Sequence, residues 1–315
     1  MDFKWRKAGI KSKVRNIYKR LTDKQLQSKH YCNTIVLDTN KGAQYLYKLI
    51  LSEQPFMAAR YGFNEIEAMA GTYYYLETKK SKKLDKIIKK GNLFNGAGFF
   101  PEDKQLVIDF GKMMLEASGY VDLMGIWYIP YEEYFINKFS NNPKITYLNM
   151  FEPWNEEIPW TKALKGKKVL VVHPFVKTIE KQYKKREKLF ENRDILPEFE
   201  LVTYKAVQTI AGTVDPRFKT WFEALEYMYN DIMKLDFDIA ILGCGAYGFP
   251  LAAKFKRAGK QAVHMGGATQ LLFGIKGSRW DNHPIVSKLY NEYWTRPDVS
   301  ETPGNAGSVE NKCYW

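Results

Sequence analysis

The chain has 315 residues, of which 45% are hydrophobic and 15% aromatic. This length and composition support one large or two modest folded units and exclude a largely disordered protein. The net charge of +13 favours anionic partners, whether phosphates, anionic lipid or nucleic acid. The longest apolar stretch, residues 237–253, contains Asp238, glycines and Pro250, so it does not favour a membrane span.

The first predicted element is a basic helical extension over residues 1–30. Apolar residues recur in it near the helical period, between many Lys and Arg residues. Such a helix either packs on the body of the protein or rests on an anionic bilayer. A second Lys-rich run occupies residues 79–90, and a solvated helix face is an alternative interpretation of both segments.

Three cysteines, Cys32, Cys244 and Cys313, lack the spacing of a metal site or a disulfide framework. The N-terminus lacks the apolar core of a secretion signal. We therefore predict a reducing, cytoplasmic location, with a peripheral position at the inner face of the membrane as a further expectation.

Residues 31–160 predict a mixed α/β half. A helical pattern at 45–51 precedes a buried strand at 56–61 that ends at Gly62. Asn64 followed by Glu67 predicts a helix N-cap with a reciprocal carboxylate, which places Glu65 in the first helical turn. Residues 91–101 are rich in Gly, Asn and Phe, and residues 95–101 within them predict a loop that approaches a neighbour closely. Helices at 102–118 and 132–139 then flank a buried strand at 121–128.

Residues 165–290 alternate strands and helices more regularly. We predict strands at 169–173, 199–204, 237–242 and 261–264, and helices at 179–191, 218–234 and 248–258. This alternation predicts an α/β fold with a Rossmann-like, mostly parallel sheet and crossover helices. Residues 291–315, rich in aromatic residues, predict an ordered tail or lid.

A glycine turn, Gly243-x-Gly245-x-x-Gly248, follows one of these strands and opens a helix, as in dinucleotide-binding turns. Those proteins carry an acid at the end of the next strand, where this chain has His264, so nicotinamide binding is disfavoured. Two other interpretations remain open. The turn, which includes Tyr247, borders a nucleotide-sugar or acceptor pocket, or it serves only close packing of strand and helix.

The ends of the parallel strands should meet along one edge of the sheet. His173 and His264 are therefore candidates for pyrophosphate or sugar contacts, although buried histidines are often structural. The segment 266–281 is dense in glycines, amides and cations. In it, Lys276 and Arg279 could neutralise a diphosphate and Trp280 could stack on a base or sugar, unless they form a surface ion-pair network.

Three motifs together resemble the GT-D type glycosyltransferases of bacterial surface-polysaccharide and protein-glycosylation systems. They are Arg60-x-Gly62-x-x-Glu65, the strand and turn at 238–248, and Val263-His-Met-Gly-Gly267. The similarity covers roughly residues 40–285. It implies a GT-D-like catalytic domain over 31–290, in two halves (31–160 and 165–290). It also implies a nucleotide-sugar donor and a glycan or lipid-linked acceptor in polysaccharide or capsule biosynthesis, and no nucleic acid partner.

In that family the first motif reads Arg-x-Gly-Asp-x-Glu, and here Phe63 stands in the Asp position. The resemblance implies that Glu65 acts as a base or orients the donor, and that Arg60 holds the loop or a phosphate. One carboxylate makes a weak Mg²⁺ or Mn²⁺ site unless Glu67 or another acid contributes. The sequence therefore leaves open whether the protein uses a divalent metal ion as a cofactor. A structural Arg60–Glu65 ion pair is the alternative.

The predicted substrate-binding residues come from all these motifs: Asn64, Asn95, His173, Gly243, Gly245, Tyr247, Gly248, His264, Gly266, Gly267, Lys276, Arg279 and Trp280. Two other functions compete with glycosyl transfer. One is a binding protein for nucleic acid or another anionic polymer, which the net charge and aromatic content support. The other, less favoured, is a nicotinamide-dependent oxidoreductase.

Overall fold

A computed structural model describes residues 30–213, 215–309 and 312–315. The predicted basic helix at residues 1–30 therefore lies outside the described residues, apart from His30. The division of the chain into an extension, two halves and a tail stays a prediction.

A single nine-stranded sheet runs through the described part of the chain, in the order β1-β2-β5-β4-β3-β9-β8-β6-β7. β1 pairs antiparallel with β2, and all the other neighbours are parallel. The predicted α/β class with a mostly parallel sheet is confirmed. The strands are β1 (His30–Tyr31), β2 (Thr34–Leu37), β3 (Met57–Ala59), β4 (Leu123–Ile126), β5 (Lys144–Tyr147), β6 (Lys168–His173), β7 (Glu200–Lys205), β8 (Ile239–Leu242) and β9 (Gln261–His264).

Helices connect the parallel strands, as crossover connections require. The α-helices are α1 (Thr39–Leu51), α2 (Phe63–Thr78), α3 (Lys82–Lys90), α4 (Asn92–Ala97), α5 (Lys104–Ala117), α6 (Glu132–Phe139), α7 (Val176–Tyr183), α8 (Arg186–Leu189), α9 (Trp221–Ile232), α10 (Gly248–Arg257), α11 (Thr269–Leu272) and α12 (Val286–Leu289). Two short 3-10 turns, Gly245–Tyr247 and Gly266–Ala268, follow β8 and β9.

The helices cover both faces of the sheet, and the strands are apolar on both sides. In β6, Leu170 and Val172 pack into the core on one face, while Val169 and Val171 pack into the core on the other. Helices α2, α5, α9 and α10 lie on the first face, and α1, α7 and α11 on the second. Strands buried on both faces read as continuous apolar runs, which is why β6 and β8 were predictable.

The centre of the sheet is a topological switch point between β3 and β9. These strands are parallel neighbours, with Ala58 opposite Val263. After β3 the chain enters α2 on the first face, whereas after β9 it enters α11 on the second face. Chains that leave neighbouring strands toward opposite faces open a crevice at the carboxyl edge of the sheet, where ligands bind in open α/β folds.

Three local predictions were wrong. Helix α2 begins at Phe63 with Gly62 as its N-cap, and no side chain caps it, so Asn64 is not the cap. Helix α4 covers residues 92–97, so residues 95–97 of the predicted loop are helical, because Leu93, Phe94 and Ala97 bury one side of this short helix. The helix predicted at 179–191 starts earlier and is interrupted after Tyr183.

The described residues contain no helix that is both long enough and apolar enough to cross a membrane.

Helices α2 and α5 pack closely against each other where Thr72 of α2 contacts Gly111 of α5. A Cβ on Gly111 would overlap the Thr72 side chain, with the Thr72 Cβ only 2.5 Å away. We predict that Gly111→Ala lowers the free energy of unfolding by about 1–3 kcal/mol, because overpacking separates the helices. Urea denaturation measures this loss. Gly119→Ala, whose new Cβ meets only ordinary contacts at 3.5 Å or more, is the control, and equal losses in both variants would contradict the prediction.

Candidate active site

A cavity occupies the crevice at the switch point, between the loops that follow β3, β6, β7, β8 and β9. The predicted alignment of the strand ends is therefore confirmed. The predicted site residues that line it are Arg60, Asn64, Glu65, His173, Gly243, Gly245, Tyr247, His264, Gly266, Gly267 and Arg279.

The Glu65 carboxylate folds back over the start of α2. Glu65 lies in the first helical turn, as predicted, and is only 9% exposed. A Cβ at Gly62 would overlap the carboxylate group, so the turn requires glycine for space rather than for an unusual backbone angle. Burial raises the pKa of Glu65, and the nearby positive charge of Arg60 opposes this rise only in part.

Arg60 lines the cavity between Trp127, which follows β4, and Gly266, which follows β9. Its Nη1 donates a hydrogen bond to the Tyr61 carbonyl oxygen at 3.1 Å. Its guanidinium lies 5.9 Å from the centre of the Trp127 ring and occupies the space that a side chain at Gly266 would need. The buried Nε has no hydrogen-bond partner among the described residues.

No direct ion pair joins Arg60 to Glu65 in the described structure. The alternative interpretation, in which an Arg60–Glu65 ion pair has only a structural role, therefore lacks the ion pair on which it depends. Both side chains instead line the same cavity, where a buried carboxylate and a cation with an unpartnered donor can act on a ligand.

Two buried histidines contribute hydrogen-bonding groups without charge. Burial lowers the pKa of His173 to about 3, and burial followed by the charge of Arg60 lowers the pKa of His264 to about 3. The Phe175 amide donates to His173 Nδ1 at 3.0 Å, so the neutral ring carries its proton on Nε2. His264 Nδ1 is buried without a partner among the described residues.

The glycine turn after β8 serves both packing and the cavity. Gly248 lies behind the lining, where a Cβ would overlap the His264 ring, so it permits close packing of helix and strand. Gly243 and Gly245 line the cavity, and Gly245 has a φ of 58°, which favours glycine. Tyr247 is fixed by stacking on Trp221, with ring centres 4.7 Å apart.

The C-terminal segment closes one side of the cavity. The Tyr314 ring lies over Gly267, 2.7 Å from the position of an added Cβ. The Arg279 guanidinium lies 4.8 Å from the centre of that ring and donates to the Tyr314 hydroxyl at 3.4 Å. Trp315 also lines the cavity, and its indole Nε1 donates to the Glu301 carbonyl oxygen at 3.3 Å.

Four predicted substrate-binding residues lie outside the lining of the cavity. Lys276 places its Nζ 5.0 Å from the centre of the Tyr290 ring. Trp280 is buried against Gly277 and Tyr314. Asn95 is exposed on α4, and Gly248 supports the turn from behind.

Sequence reasoning missed several residues that line the cavity. Trp127 follows β4, and its indole Nε1 donates to the Tyr61 carbonyl oxygen at 3.0 Å. Gln270 donates to the Tyr314 carbonyl oxygen at 3.0 Å, while its Oε1 is buried without a partner in the described ranges. The signals that could have indicated them are the position of Trp127 at the end of a predicted strand and the place of Gln270 in the amide-rich segment 266–281. Other lining residues that were not predicted include Gln208, Thr209, Tyr314 and Trp315.

The side chains present do not fit a divalent metal ion held by the protein. Mg²⁺ and Mn²⁺ prefer several hard oxygen ligands, but Glu65 is the sole carboxylate among the described lining residues. Glu67, the acid that could have joined it, instead pairs with Lys90 at 2.9 Å. No group of three or more His, Cys, Asp or Glu residues in the described ranges could hold a metal.

No protein-family model and no curated protein matches the chain. Two solved structures are similar to it. One is described as the highly conserved domain of unknown function 1792 with a distinct glycosyltransferase fold, and has a TM-score of 0.42 and 13% sequence identity over 84% of this chain and 92% of that chain. The other is a selenomethionine-substituted structure of domain of unknown function 1792, with a TM-score of 0.43 and the same identity and coverage. Similarity at this level carries no argument about activity.

Because the Glu65 carboxyl is buried, we predict that its contribution to the free energy of unfolding depends on pH. Because its pKa is raised in the folded state, the folded state binds more protons, and stability falls as the pH rises from the unfolded pKa through the folded pKa. We expect Glu65→Gln to gain stability over the wild type at pH 7 but not at pH 4, measured by urea denaturation. Glu67→Gln, which only loses an exposed ion pair with Lys90, should show no such gain. A Glu65→Gln effect that is independent of pH would contradict the prediction.

Proposed function

We propose that the protein is a glycosyltransferase that moves a sugar from a nucleotide-sugar donor to a hydroxyl of a glycan or lipid-linked acceptor. The observation that carries this proposal is the convergence of Glu65, Arg60 and the glycine turn in one cavity at the switch point. Such crevices are the usual ligand sites of parallel α/β sheets. The site combines a base, cations and backbone that a ligand can approach closely.

The donor diphosphate would lie between the two arginines of the cavity. Arg60 and Arg279 both line it, and guanidinium groups bind phosphate oxygens through paired hydrogen bonds. Gly243 and Gly245 add backbone that is not covered by side chains. Neutral His173 offers its Nε2 hydrogen to a further oxygen without adding charge.

The transfer would proceed by attack of the acceptor hydroxyl oxygen on the anomeric carbon of the donor sugar. A new C–O bond forms, and the bond from the anomeric carbon to the diphosphate oxygen breaks, with its electron pair remaining on the diphosphate. Glu65 takes the hydroxyl proton, and burial makes it a stronger base than a free glutamate. Arg60 and Arg279 stabilise the charge that develops on the leaving group.

A cytoplasmic location and a role in surface-polysaccharide or capsule synthesis complete the proposal. Peripheral contact with an anionic membrane is compatible with α3, whose Lys82, Lys86, Lys89 and Lys90 are exposed. This helix leads into α4, where Gly96 and Ala97 line the cavity. A lipid-linked acceptor on the membrane would therefore be close to the site.

We predict that Glu65→Gln lowers kcat for transfer by about 10²–10⁴-fold, because the base is lost. Arg60→Ala should lower kcat by about 10²–10³-fold through loss of charge stabilisation. A panel of nucleotide sugars, with detection of released nucleotide, measures both effects. Lys112→Ala, which removes an exposed cation on α5, is the control. No response of the wild type to any donor, or full activity of Glu65→Gln, would contradict the proposal.

Because Glu65 is the one carboxylate side chain among the lining residues that the structure describes, we predict that transfer does not require a divalent metal ion. We expect the transferase to retain most of its activity in excess EDTA, since Arg60 and Arg279 supply positive charge that a protein-bound cation would otherwise supply. The assay compares initial rates of nucleotide release with EDTA and with added Mg²⁺ or Mn²⁺. Complete loss of activity in EDTA, restored by one of these ions, is the contrary result.

A further inference from the structure

A groove adjoins the active-site cavity at the segment that follows β7. Residues 206–208 line both spaces, so the two are adjoining rather than independent. The other lining residues of the groove are Tyr204, Lys205, Thr213, Asp215, Pro216, Arg217 and Tyr227.

The groove presents an exposed aromatic platform. Tyr227 is 44% exposed, whereas Trp221 and Leu225 of the same helix α9 pack into the core. Phe218 supports its ring at 5.1 Å between ring centres, and the Arg217 guanidinium lies 5.4 Å from the Tyr227 ring centre. An exposed ring that is held by neighbours offers contact area at little cost in side-chain entropy.

Polar groups with fixed geometry surround this platform. Arg217 pairs with Asp215 in a forked arrangement, with Nε to Oδ1 at 3.0 Å and Nη2 to Oδ2 at 2.6 Å. The pairing lowers the pKa of Asp215 and raises the pKa of Arg217, so both stay ionised at neutral pH. The Tyr204 hydroxyl donates to Asp231 Oδ2 at 3.2 Å.

Gln208 lies between the two spaces. It is half-buried, lines both of them, and its side-chain amide makes no hydrogen bond with the residues that the structure describes. A primary amide has both donors and an acceptor, so it can bind a hydroxyl that projects from the groove toward the cavity.

The charge balance of the groove favours a neutral ligand over a polyanion. Asp215 neutralises Arg217 within the forked pair, which leaves Lys205 as the one uncompensated charge among the described lining residues. Polyanion binding relies on several uncompensated cations. In contrast, a saccharide matches an aromatic face with its C–H groups and a fixed polar pair with its vicinal hydroxyls.

We infer that this groove is the acceptor subsite and binds the neutral oligosaccharide part of the acceptor, with its nucleophilic hydroxyl directed past Gln208 toward Glu65. The inference rests on the proposed function for the direction of transfer. The saccharide-binding role of Tyr227 is testable without any donor.

The test is binding of the full chain to an array of neutral mono- to tetrasaccharides, followed by titration of the best saccharide. We expect Tyr227→Ala to weaken binding by at least about tenfold, while Tyr227→Phe stays within about threefold because it keeps the ring. Asp215→Asn should weaken binding because it disrupts the forked pair. Tyr75→Ala, a half-exposed tyrosine outside both spaces, is the matched control and should bind as the wild type does.

A thermal-shift titration with nucleoside diphosphates separates this inference from the proposed function. If the groove is the acceptor subsite, Tyr227→Ala leaves the nucleotide response unchanged and, in transfer assays, raises the KM of the saccharide but not that of the donor. Absence of saccharide binding, unchanged binding by Tyr227→Ala, or salt-sensitive binding of heparin instead of saccharide overturns the inference. Saccharide binding without any nucleotide response supports the groove and overturns the donor site.

Discussion

The site depends on one constraint, the parallel pairing of β3 with β9 at the centre of the sheet. Both strands are buried on both faces, and because they are parallel the chain leaves both at the same edge of the sheet. After β3 the polypeptide enters α2 on one face of the sheet, and after β9 it enters α11 on the opposite face. The cavity lies between these two segments, and it is lined by Arg60 and Gly266, which contact each other.

Glycines at this edge act mainly by making room. Gly62 leaves space for the Glu65 carboxylate, Gly266 for the Arg60 guanidinium, and Gly248 for the His264 ring. In each case another side chain occupies the volume that a Cβ on the glycine would need. The polar groups of the site are thereby held in fixed positions, as preorganised electrostatic stabilisation requires.

The electrostatics of the cavity come from a small number of groups. Burial keeps His173 and His264 neutral, so the positive charges among the described lining residues are those of Arg60 and Arg279. Glu65 is the opposing charge, and the rise of its pKa follows from the same burial. This arrangement suits a ligand with an anionic part near the arginines and a hydroxyl near the carboxylate.

The sequence by itself determined the fold class, most of the strands and the position of Glu65 in a first helical turn, because buried strands and helix starts are local patterns of apolar and turn residues. It also determined that strand-end residues such as His173 and Gly243 would share an edge, since parallel strands end at the same side. Only the tertiary structure decided which residues reach the cavity. Lys276 and Trp280 turn away toward Tyr290 and Tyr314, while Trp127, Gln270 and Tyr314 enter it, because side-chain direction depends on contacts between segments far apart in the chain.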